Sequence, residues 1–311
     1  MKQRDHDPKR TPPHLRGEQP STYFVQDRSN KEEQARLRLQ DKMITENMGG
    51  VLPEQADPAS FQHVLDVGCG TGGWLIELAK TYPSIVELVG VDISQKMVEY
   101  AQAQAQAQQV SEQVTFRVMD ALQTLAFPAD SFDLVNLRFA TSFMRTWDWR
   151  KLLGEFQRVS KPSGVVRITE AELAIQSDSE ALTRLCTYSF EALHRAGYLF
   201  RPSGDGLTSE LEHQLHQLGL QDVQTRSYPL EYRAGTERGQ GFYEDMKRLF
   251  RNGLPFWRKW MRVPQDYEEL YQQAMHDMRQ PDFVAIWPLL TAWGTGWRTR
   301  KQPSLMQSPL A

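Results

Sequence analysis

A glycine-rich turn directly after an apolar run constrains this chain more than any other feature of its sequence. The stretch 64-VLDVGCGTGGW-74 places Gly68, Gly70 and Gly73 in the spacing G-x-G-x-x-G behind a predicted strand. Such a turn lets the backbone approach a nucleotide closely, and the next helix presents its N-terminus to the ligand. The literal interpretation is a nicotinamide or flavin dinucleotide site.

Strands and helices alternate around this turn. Strands are predicted at 63–67, 86–92, 113–120, 132–140 and 164–172, and helices at 72–82, 94–108 and 148–159. The strands are continuous apolar runs, as expected for parallel strands that are covered on both faces. The repeat AQAQAQAQ has a period of two, but Ala and Gln favour a helix, so it is assigned to one. The pattern predicts an α/β fold with a doubly wound sheet.

Helical segments are predicted on both sides of this core. A helix is expected over 29–50, where Ser29 is a suitable N-cap and Gly49 a stop. Later segments predict helices at 178–196, 207–218, 237–251 and 264–279, a strand at 221–232 and an apolar segment at 283–294. Pro288 indicates that this last segment is irregular or at an edge.

These segments predict a single domain over residues 21–311, behind a disordered tail at 1–20 that is rich in Pro and charge. Its expected parts are a core at 61–174, about 207–232 and 281–297, a lid at 22–50, and cap segments at about 175–206 and 235–280.

Composition narrows the class of protein. The net charge of -3 gives no general attraction to nucleic acid. The two cysteines form no C-x-x-C pair, which suits a reducing compartment. The sequence has no apolar run long enough for a transmembrane helix and no signal-peptide pattern at its start. We therefore expect a cytoplasmic protein.

Three acidic residues at strand ends argue against the dinucleotide. Asp66 lies at the base of the glycine turn, where a carboxylate repels pyrophosphate and attracts an ammonium group. Asp92 ends the second strand and can accept the ribose hydroxyls, a feature of both ligand classes. Asp120 ends the third strand and can accept from an adenine amino group. This arrangement favours a cationic amino-acid nucleoside.

The motifs D-V-G-C-G-T-G, V-D-I-S, M-D-A, S-F-D-L-V and K-P-S-G resemble, in this order, those of class I S-adenosylmethionine-dependent methyltransferases of the small-molecule group. They cover residues 61–170, about a third of the chain. The resemblance implies a Rossmann-like, seven-stranded sheet with an antiparallel last strand, for which 283–294 is the candidate. The family usually has K-P-G-G where this chain has Ser163, a departure expected to change a turn and not the chemistry.

The resemblance also implies which residues hold the cofactor, S-adenosylmethionine, whose product is S-adenosylhomocysteine. For the amino-acid end, it assigns Gly68, Cys69 and Gly70 to the methionine portion, Asp66 to the ammonium group through water, and Asn136 and Leu137 to the sulfonium region. For the nucleoside, it assigns Asp92 to the ribose, Ile93 and Met97 to the adenine face, and Asp120 and Ala121 to the adenine edge. It assigns Tyr23, Arg36 and Gln40 to the closing lid. Ordinary helix packing is the alternative for Ile93 and Met97, and an exposed surface helix is the alternative for the lid residues. No metal-binding residue is expected.

Catalytic residues are harder to assign, because methyl transfer depends on alignment and needs a base only when the acceptor carries a proton. The candidates, by their places at strand ends and in the cap, are Tyr23, Arg138, Glu170 and His194. Glu170 has an alternative role as an ion-pair partner of Arg167 or Arg138. Cys69 occupies the cofactor turn, where a small residue fits, and is not expected to be a nucleophile.

The leading hypothesis is methyl transfer to O, N or C of a small, partly hydrophobic or aromatic metabolite. One alternative is a cofactor-binding enzyme that does not methylate, such as a cyclase or a rearrangement catalyst. A nucleic-acid methyltransferase is the weaker alternative: residues 247–262 mix basic and aromatic side chains, but the fourth strand lacks an Asn-Pro-Pro-Tyr motif. The same stretch could touch a membrane surface or an anionic substrate. A homodimer also stays open.

Overall fold

The apolar runs of the sequence form one eight-stranded sheet within residues 31–297, the part of the chain that the computed structural model describes. The strands are β1 (His63–Val67), β2 (Glu87–Asp92), β3 (Val114–Val118), β4 (Phe132–Arg138), β5 (Ser160–Ala171), β6 (Gln176–Ser177), β7 (Leu220–Arg233) and β8 (Val284–Trp297). Their order is β3-β2-β1-β4-β5-β8, with β6 and β7 also paired to β8. Strands β1 to β5 are parallel and β8 is antiparallel to its neighbours. The predicted doubly wound fold with an antiparallel last strand is confirmed, with the short β6 added.

Strand β8 lies inside the sheet, between β5 and β7, so the expectation of an irregular or edge segment was wrong. The reason is that Pro288 pairs with Pro229 of β7. Neither proline has an N–H group, so the ladder leaves no donor without an acceptor at this position. The carbonyl of Pro288 accepts a bond from the backbone N–H of Glu172 at 2.9 Å.

Helices cover both faces of the sheet and its carboxyl-terminal edge. They are α1 (Lys31–Met48), α2 (Gly73–Thr81), α3 (Gln95–Ala107), α4 (Trp149–Val159), α5 (Glu180–Arg195), α6 (Leu211–Gln217), α7 (Glu237–Trp260) and α8 (Tyr267–Asp277). Helices α2 and α3 share one apolar core with β1 and β2, and α4 belongs to a second core. The AQAQ repeat is helical, as predicted, and buries Ala101 and Ala105, which are four positions apart.

Helix α7 runs nine residues beyond its predicted end at 251, through Pro255. An interior proline removes a helical hydrogen bond. The two following residues, Phe256 and Trp257, are buried, and Trp257 packs over Gly253. Burial of two aromatic rings therefore outweighs the local preference to stop.

Several strand boundaries also differ from the predictions. Strand β4 ends at Arg138 because Phe139 adopts a left-handed backbone with φ 57°. Strand β3 ends at Val118, and β5 begins at Ser160, so the K-P-S-G stretch is part of a strand.

None of the helices within residues 31–297 has the length and hydropathy needed to cross a membrane. The predicted tail at 1–20, Tyr23 and Ser29 lie outside the described residues.

Candidate functional site

A cavity of about 220 Å³ lies where the carboxyl ends of β1, β2, β4 and β5 meet α1, α5 and α7. One part of its wall is polar and is formed by Gln40, Asp41, Asp66, Gly70, Asp92 and Arg138. Another part of the wall is apolar and includes Phe143, Leu193, Leu249, Phe256, Trp257 and Trp287. The cavity can therefore receive a ligand with one polar and one apolar end.

The glycine turn forms the floor of the polar part. Gly68 and Gly70 have φ values of 72° and 52°, which glycine adopts without steric cost. The N–H groups of Gly68 and Cys69 donate to the carbonyl of Val91, and Gly70 N donates to Asp92 Oδ2 at 3.1 Å. Among the described residues, no atom outside Gly70 and its two chain neighbours lies within 4 Å of where a Cβ on Gly70 would stand. The turn is thus held rigidly and leaves room above Gly70.

The Cys69 thiol in this turn is not set up as a nucleophile. Burial, and then the nearby carboxylates of Asp92 and Asp66, raise its pKa well above the ordinary value. The neutral thiol is a weak nucleophile, because the reactive form is the thiolate. The side chain also packs close to Gly90, where an added Cβ would approach Sγ within 2.9 Å.

A chain of three polar side chains fixes Asp66 beneath the turn. Glu54 holds Arg167 by an ion pair at 2.6 Å, and Arg167 Nη1 donates to Asn136 Oδ1 at 2.9 Å. The Asn136 amide must then direct its NH₂ group to Asp66 Oδ1, which accepts at 2.8 Å. Burial raises the pKa of Asp66 to about 7, although the Asn136 bond and the Arg138 charge oppose this rise. Asp66 therefore changes its charge near neutral pH.

Arg138 connects the end of β4 to helix α1. Its Nη1 forms an ion pair with Asp41 Oδ1 at 2.9 Å and a long hydrogen bond of 3.5 Å to Thr45 Oγ1. Burial raises the pKa of Asp41, and the Arg138 charge opposes this shift. Burial also lowers the pKa of Arg138. The two groups form a buried pair in the wall of the cavity.

Two of the predicted lid residues hold a carboxylate of the cap. Arg36 Nη1 forms an ion pair with Asp245 Oδ1 at 2.6 Å, and Gln40 Nε2 donates to Asp245 Oδ2 at 2.8 Å. The side chains of Arg36 and Asp245 are 4% and 1% exposed. Arg36 and Gln40 also line the cavity, so they join α1 to α7 directly above it.

Glu170 lies at the end of β5 and lines the cavity. The sequence had suggested an ion pair with Arg167 or Arg138 as an alternative role, but the structure shows other partners for Glu170. Its carboxylate accepts the backbone N–H groups of Ala140 and Thr141, and Thr141 Oγ1 donates to it at 2.7 Å. Burial raises its pKa to about 7, and the bonds from Thr141 and Ala140 oppose the shift. This carboxyl group can exchange a proton at neutral pH.

Sequence comparisons add a family to this geometry. The family model described as "Methyltransferase domain" matches residues 64–164. The uncharacterized methyltransferase YcgJ of Bacillus subtilis is 30% identical over 194 residues, which are 61% of this chain and 70% of that protein. A demethylmenaquinone methyltransferase of Lactiplantibacillus plantarum is 40% identical over 104 residues, which are 33% of this chain and 43% of that protein.

The chain belongs to the class I S-adenosylmethionine-dependent methyltransferases. A solved structure agrees at the level of fold. Phospholethanolamine N-methyltransferase 2 of Haemonchus contortus, in complex with phosphomonomethylethanolamine and S-adenosylhomocysteine, has a TM-score of 0.53 at 19% identity, over 86% of this chain and 59% of that one. The chain spans less than half the length of the L. plantarum relative, so the similarity lies in part of each protein.

The residues of this methyltransferase suit its cofactor, S-adenosylmethionine. The open space above Gly70 leaves room for a ligand beside the backbone, and the lining offers carboxylates for hydroxyl and ammonium groups together with the buried guanidinium groups of Arg36 and Arg138. The predicted cofactor residues that line the cavity are Arg36, Gln40, Asp66, Gly68, Cys69, Gly70, Asp92 and Met97.

Other predicted site residues of the methyltransferase lie elsewhere. Asn136 and Leu137 are fully buried behind the cavity wall, where Asn136 orients Asp66. Ile93, Asp120 and Ala121 lie near the ends of β2 and β3 but do not line the cavity, and the Asp120 carboxylate accepts the N–H of Leu122. Arg138 and Glu170 line the cavity.

The structure places His194 in the last turn of α5, outside the cavity lining. Its carbonyl accepts the N–H of Gly197. Its helix neighbour Leu193 lines the cavity instead.

Sequence reasoning missed Asp41, Glu54 and Asp245, and it assigned no individual residue to the apolar wall, although it expected a hydrophobic or aromatic acceptor. Asp41 follows Gln40 directly in α1, but it lies five positions after Arg36, outside the i,i+3 and i,i+4 spacing, so helical spacing from Arg36 did not identify it. Glu54 follows a proline in a loop and carried no signal. Asp245 was hidden among the charged residues of α7.

Proposed function

We propose that this methyltransferase transfers a methyl group from S-adenosylmethionine to O, N or C of a small apolar or aromatic acceptor. The observation that carries the proposal is the lining of the cavity, which combines polar side chains around the glycine turn with an apolar wall rich in aromatic side chains. When bound, the cofactor supplies an electrophilic methyl group. The protein then has to align the acceptor and exclude water.

The cavity wall favours an acceptor without negative charge. Among the lining residues, the cationic side chains are Arg36 and Arg138, and each forms an ion pair with a carboxylate, Asp245 and Asp41 respectively. The remaining wall around the acceptor end is aromatic or aliphatic and buries apolar surface favourably. The name of the L. plantarum relative, a demethylmenaquinone methyltransferase, supports a quinone-like ring as the acceptor.

Glu170 is the side chain best placed to accept a proton from an acceptor hydroxyl or amine. It lines the cavity, and bonds from Ala140 and Thr141 fix its orientation. Because its pKa is raised to about 7, a large fraction is ionised at neutral pH while remaining basic. We therefore propose Glu170 as general base when the acceptor atom carries a proton.

The test is transfer of labelled methyl from S-adenosylmethionine to a panel of neutral phenols, quinols and amines, each paired with a phosphorylated analogue. We expect label in at least one neutral aromatic acceptor, with kcat/KM at least about tenfold above that of its anionic analogue. For a hydroxyl acceptor, Glu170→Gln should reduce kcat by about 10²-fold or more and remove the rise of activity through about pH 7.

The matched control is Glu172→Gln, because Glu172 lies two residues away and does not line the cavity. It should leave transfer unchanged. Label found only in nucleic acid would contradict the proposal. Acceptor consumed without incorporation of label, by protein that binds the cofactor, would favour the alternative of a non-methylating enzyme.

A further inference from the structure

One nitrogen of Arg138 lacks a partner within the described part of the chain. Arg138 is 9% exposed and lines the cavity. Its Nη1 binds Asp41 and Thr45, whereas Nη2 is buried and makes no hydrogen bond to any described residue. A buried N–H group of a charged side chain is costly when it lacks an acceptor. The arrangement indicates an acceptor that a ligand brings.

The neighbours of Arg138 place that acceptor near the glycine turn. Asp41, the partner of Nη1, lies against the first residue of α2, since a Cβ on Gly73 would collide with Asp41 Oδ2. Arg138 is also close enough to Asp66 for its charge to favour the ionised carboxylate. The guanidinium therefore lies between helix α1 and the base of the turn, with the ring of Phe139 beside it at 5.2 Å.

The charges of this region match a zwitterion. Asp41 and Asp66 can attract an ammonium group, and Arg138 is the cation that faces them from the cavity wall. The neighbouring Arg167 is already paired with Glu54 by two contacts, at 2.6 and 3.3 Å. An α-amino acid carries both an ammonium and a carboxylate at the spacing of one carbon atom. The methionyl end of the cofactor is such a group.

We propose that Arg138 Nη2 binds the α-carboxylate of the cofactor's methionyl group while Nη1 keeps its bond to Asp41 of α1. This inference rests on the proposed function, because it concerns the same cofactor. Arg138 is then a binding residue and not the catalytic residue that the sequence suggested. One guanidinium joins the ligand to α1, so the carboxylate of the ligand holds this helix over the cavity. An oxyanion on the methyl acceptor is the other group that would bind Nη2 through the same contact.

The experiment compares S-adenosylhomocysteine with 5′-methylthioadenosine, which has the nucleoside and the sulfur but no amino-acid end. Calorimetric titration of the full chain measures both affinities in wild type and in Arg138→Met. We expect Arg138→Met to weaken S-adenosylhomocysteine at least about tenfold and 5′-methylthioadenosine less than about twofold. The retained 5′-methylthioadenosine affinity also shows that the variant is folded.

Two further variants sharpen the comparison. Arg138→Lys keeps the charge and should lose an intermediate amount of S-adenosylhomocysteine affinity, since an ammonium cannot make the same two-sided contact. Arg145→Met is the control: Arg145 packs over Tyr198 at 4.1 Å, does not line the cavity, and should leave both affinities unchanged.

Several results would overturn the inference. If Arg138→Met loses the same affinity for both ligands, the role of Arg138 is structural. If Arg138→Met keeps its S-adenosylhomocysteine affinity but has a raised KM for the acceptor, Nη2 binds the acceptor. If the wild-type protein binds 5′-methylthioadenosine and S-adenosylhomocysteine equally well, the carboxylate contact is absent. Failure of the wild type to bind either compound would contradict the proposed function itself.

Discussion

We propose that the protonation of Asp66 is coupled to ligand binding in this cavity. Burial raises its pKa to about 7, and Asn136 and Arg138 act in the opposite direction. An ammonium group binds the ionised carboxylate more strongly than the neutral acid. Ligand binding should therefore release a proton at neutral pH, and a lower pH should oppose binding.

We predict that the affinity for S-adenosylhomocysteine falls as the pH decreases below about 7, by up to about tenfold per pH unit. Calorimetry in buffers of different ionisation enthalpy measures both the affinity and the released proton. The compound 5′-methylthioadenosine has no ammonium group and provides the control, with a flat profile. A profile that is equally steep for both compounds would contradict the role of Asp66.

The same shift has a consequence for the ligand-free protein. The folded-state pKa of Asp66 lies above its ordinary value of 3.8. The contribution of Asp66 to the free energy of unfolding is therefore complete below pH 3.8 and is lost as the pH rises through about 7. The free energy of unfolding should therefore fall over this range, and S-adenosylhomocysteine should reduce the fall.

At the residue scale, the sequence was informative where chemistry depends on a local motif. Gly68, Gly70, Asp66 and Asp92 line one cavity, because the glycine turn and the strand ends fix their positions, and their binding of the cofactor stays a prediction. Contacts between distant segments could not be predicted. The pair of Asp41 with Arg138 joins residues 97 positions apart, and only the packing of α1 on the sheet brings them together.

At the scale of elements, helices α1 and α7 are joined by the bonds of Arg36 and Gln40 to Asp245. These groups are buried, so water cannot replace a lost partner, and removing one partner destabilises the fold strongly. Both helices contribute to the cavity wall. The stability of this contact therefore determines how firmly α1 covers the cavity.

We predict that Asp245→Asn lowers the free energy of unfolding by about 1–3 kcal/mol, because Arg36 loses the charge of its carboxylate partner. Amide hydrogen exchange in α1 should accelerate more than exchange in β1 or β4. The control is Glu244→Gln in the same helix, whose side chain is 27% exposed and forms ion pairs of 3.7 Å with Lys247 and Arg248. Equal effects of the two substitutions on α1 would contradict the role of Asp245.

Element boundaries were predicted well where propensity and packing agree, and poorly where packing decides. Helix α7 continues through Pro255 because Phe256 and Trp257 are buried. Strand β8 accommodates Pro288 because Pro229 faces it. Neither compensation is visible in a local window of sequence, since each depends on a partner from another segment.

At the scale of the whole molecule, the two halves of the cavity come from different parts of the chain. The family match covers residues 64–164, which supply the glycine turn, Asp92 and Arg138. Most of the apolar wall comes from the later segments, through Leu193, Phe256, Trp257 and Trp287, and Phe143 is its contribution from the matched part. This division explains why the motifs identified the cofactor class while the acceptor is argued from the cavity wall.

The central claim is that the polar wall of the cavity binds an adenosyl amino acid and not a dinucleotide. Calorimetric titration with S-adenosylmethionine, S-adenosylhomocysteine and NAD, in wild type and in Asp92→Asn, tests it most directly. Asp92 lines the cavity, where its carboxylate accepts the backbone N–H groups of Gly70 and Ser94. The side-chain amide introduced by Asp92→Asn keeps one oxygen that can accept one of these two bonds. We predict that both adenosyl ligands bind, that NAD does not, and that Asp92→Asn weakens binding about tenfold or more. Binding of NAD without either adenosyl ligand would contradict the account.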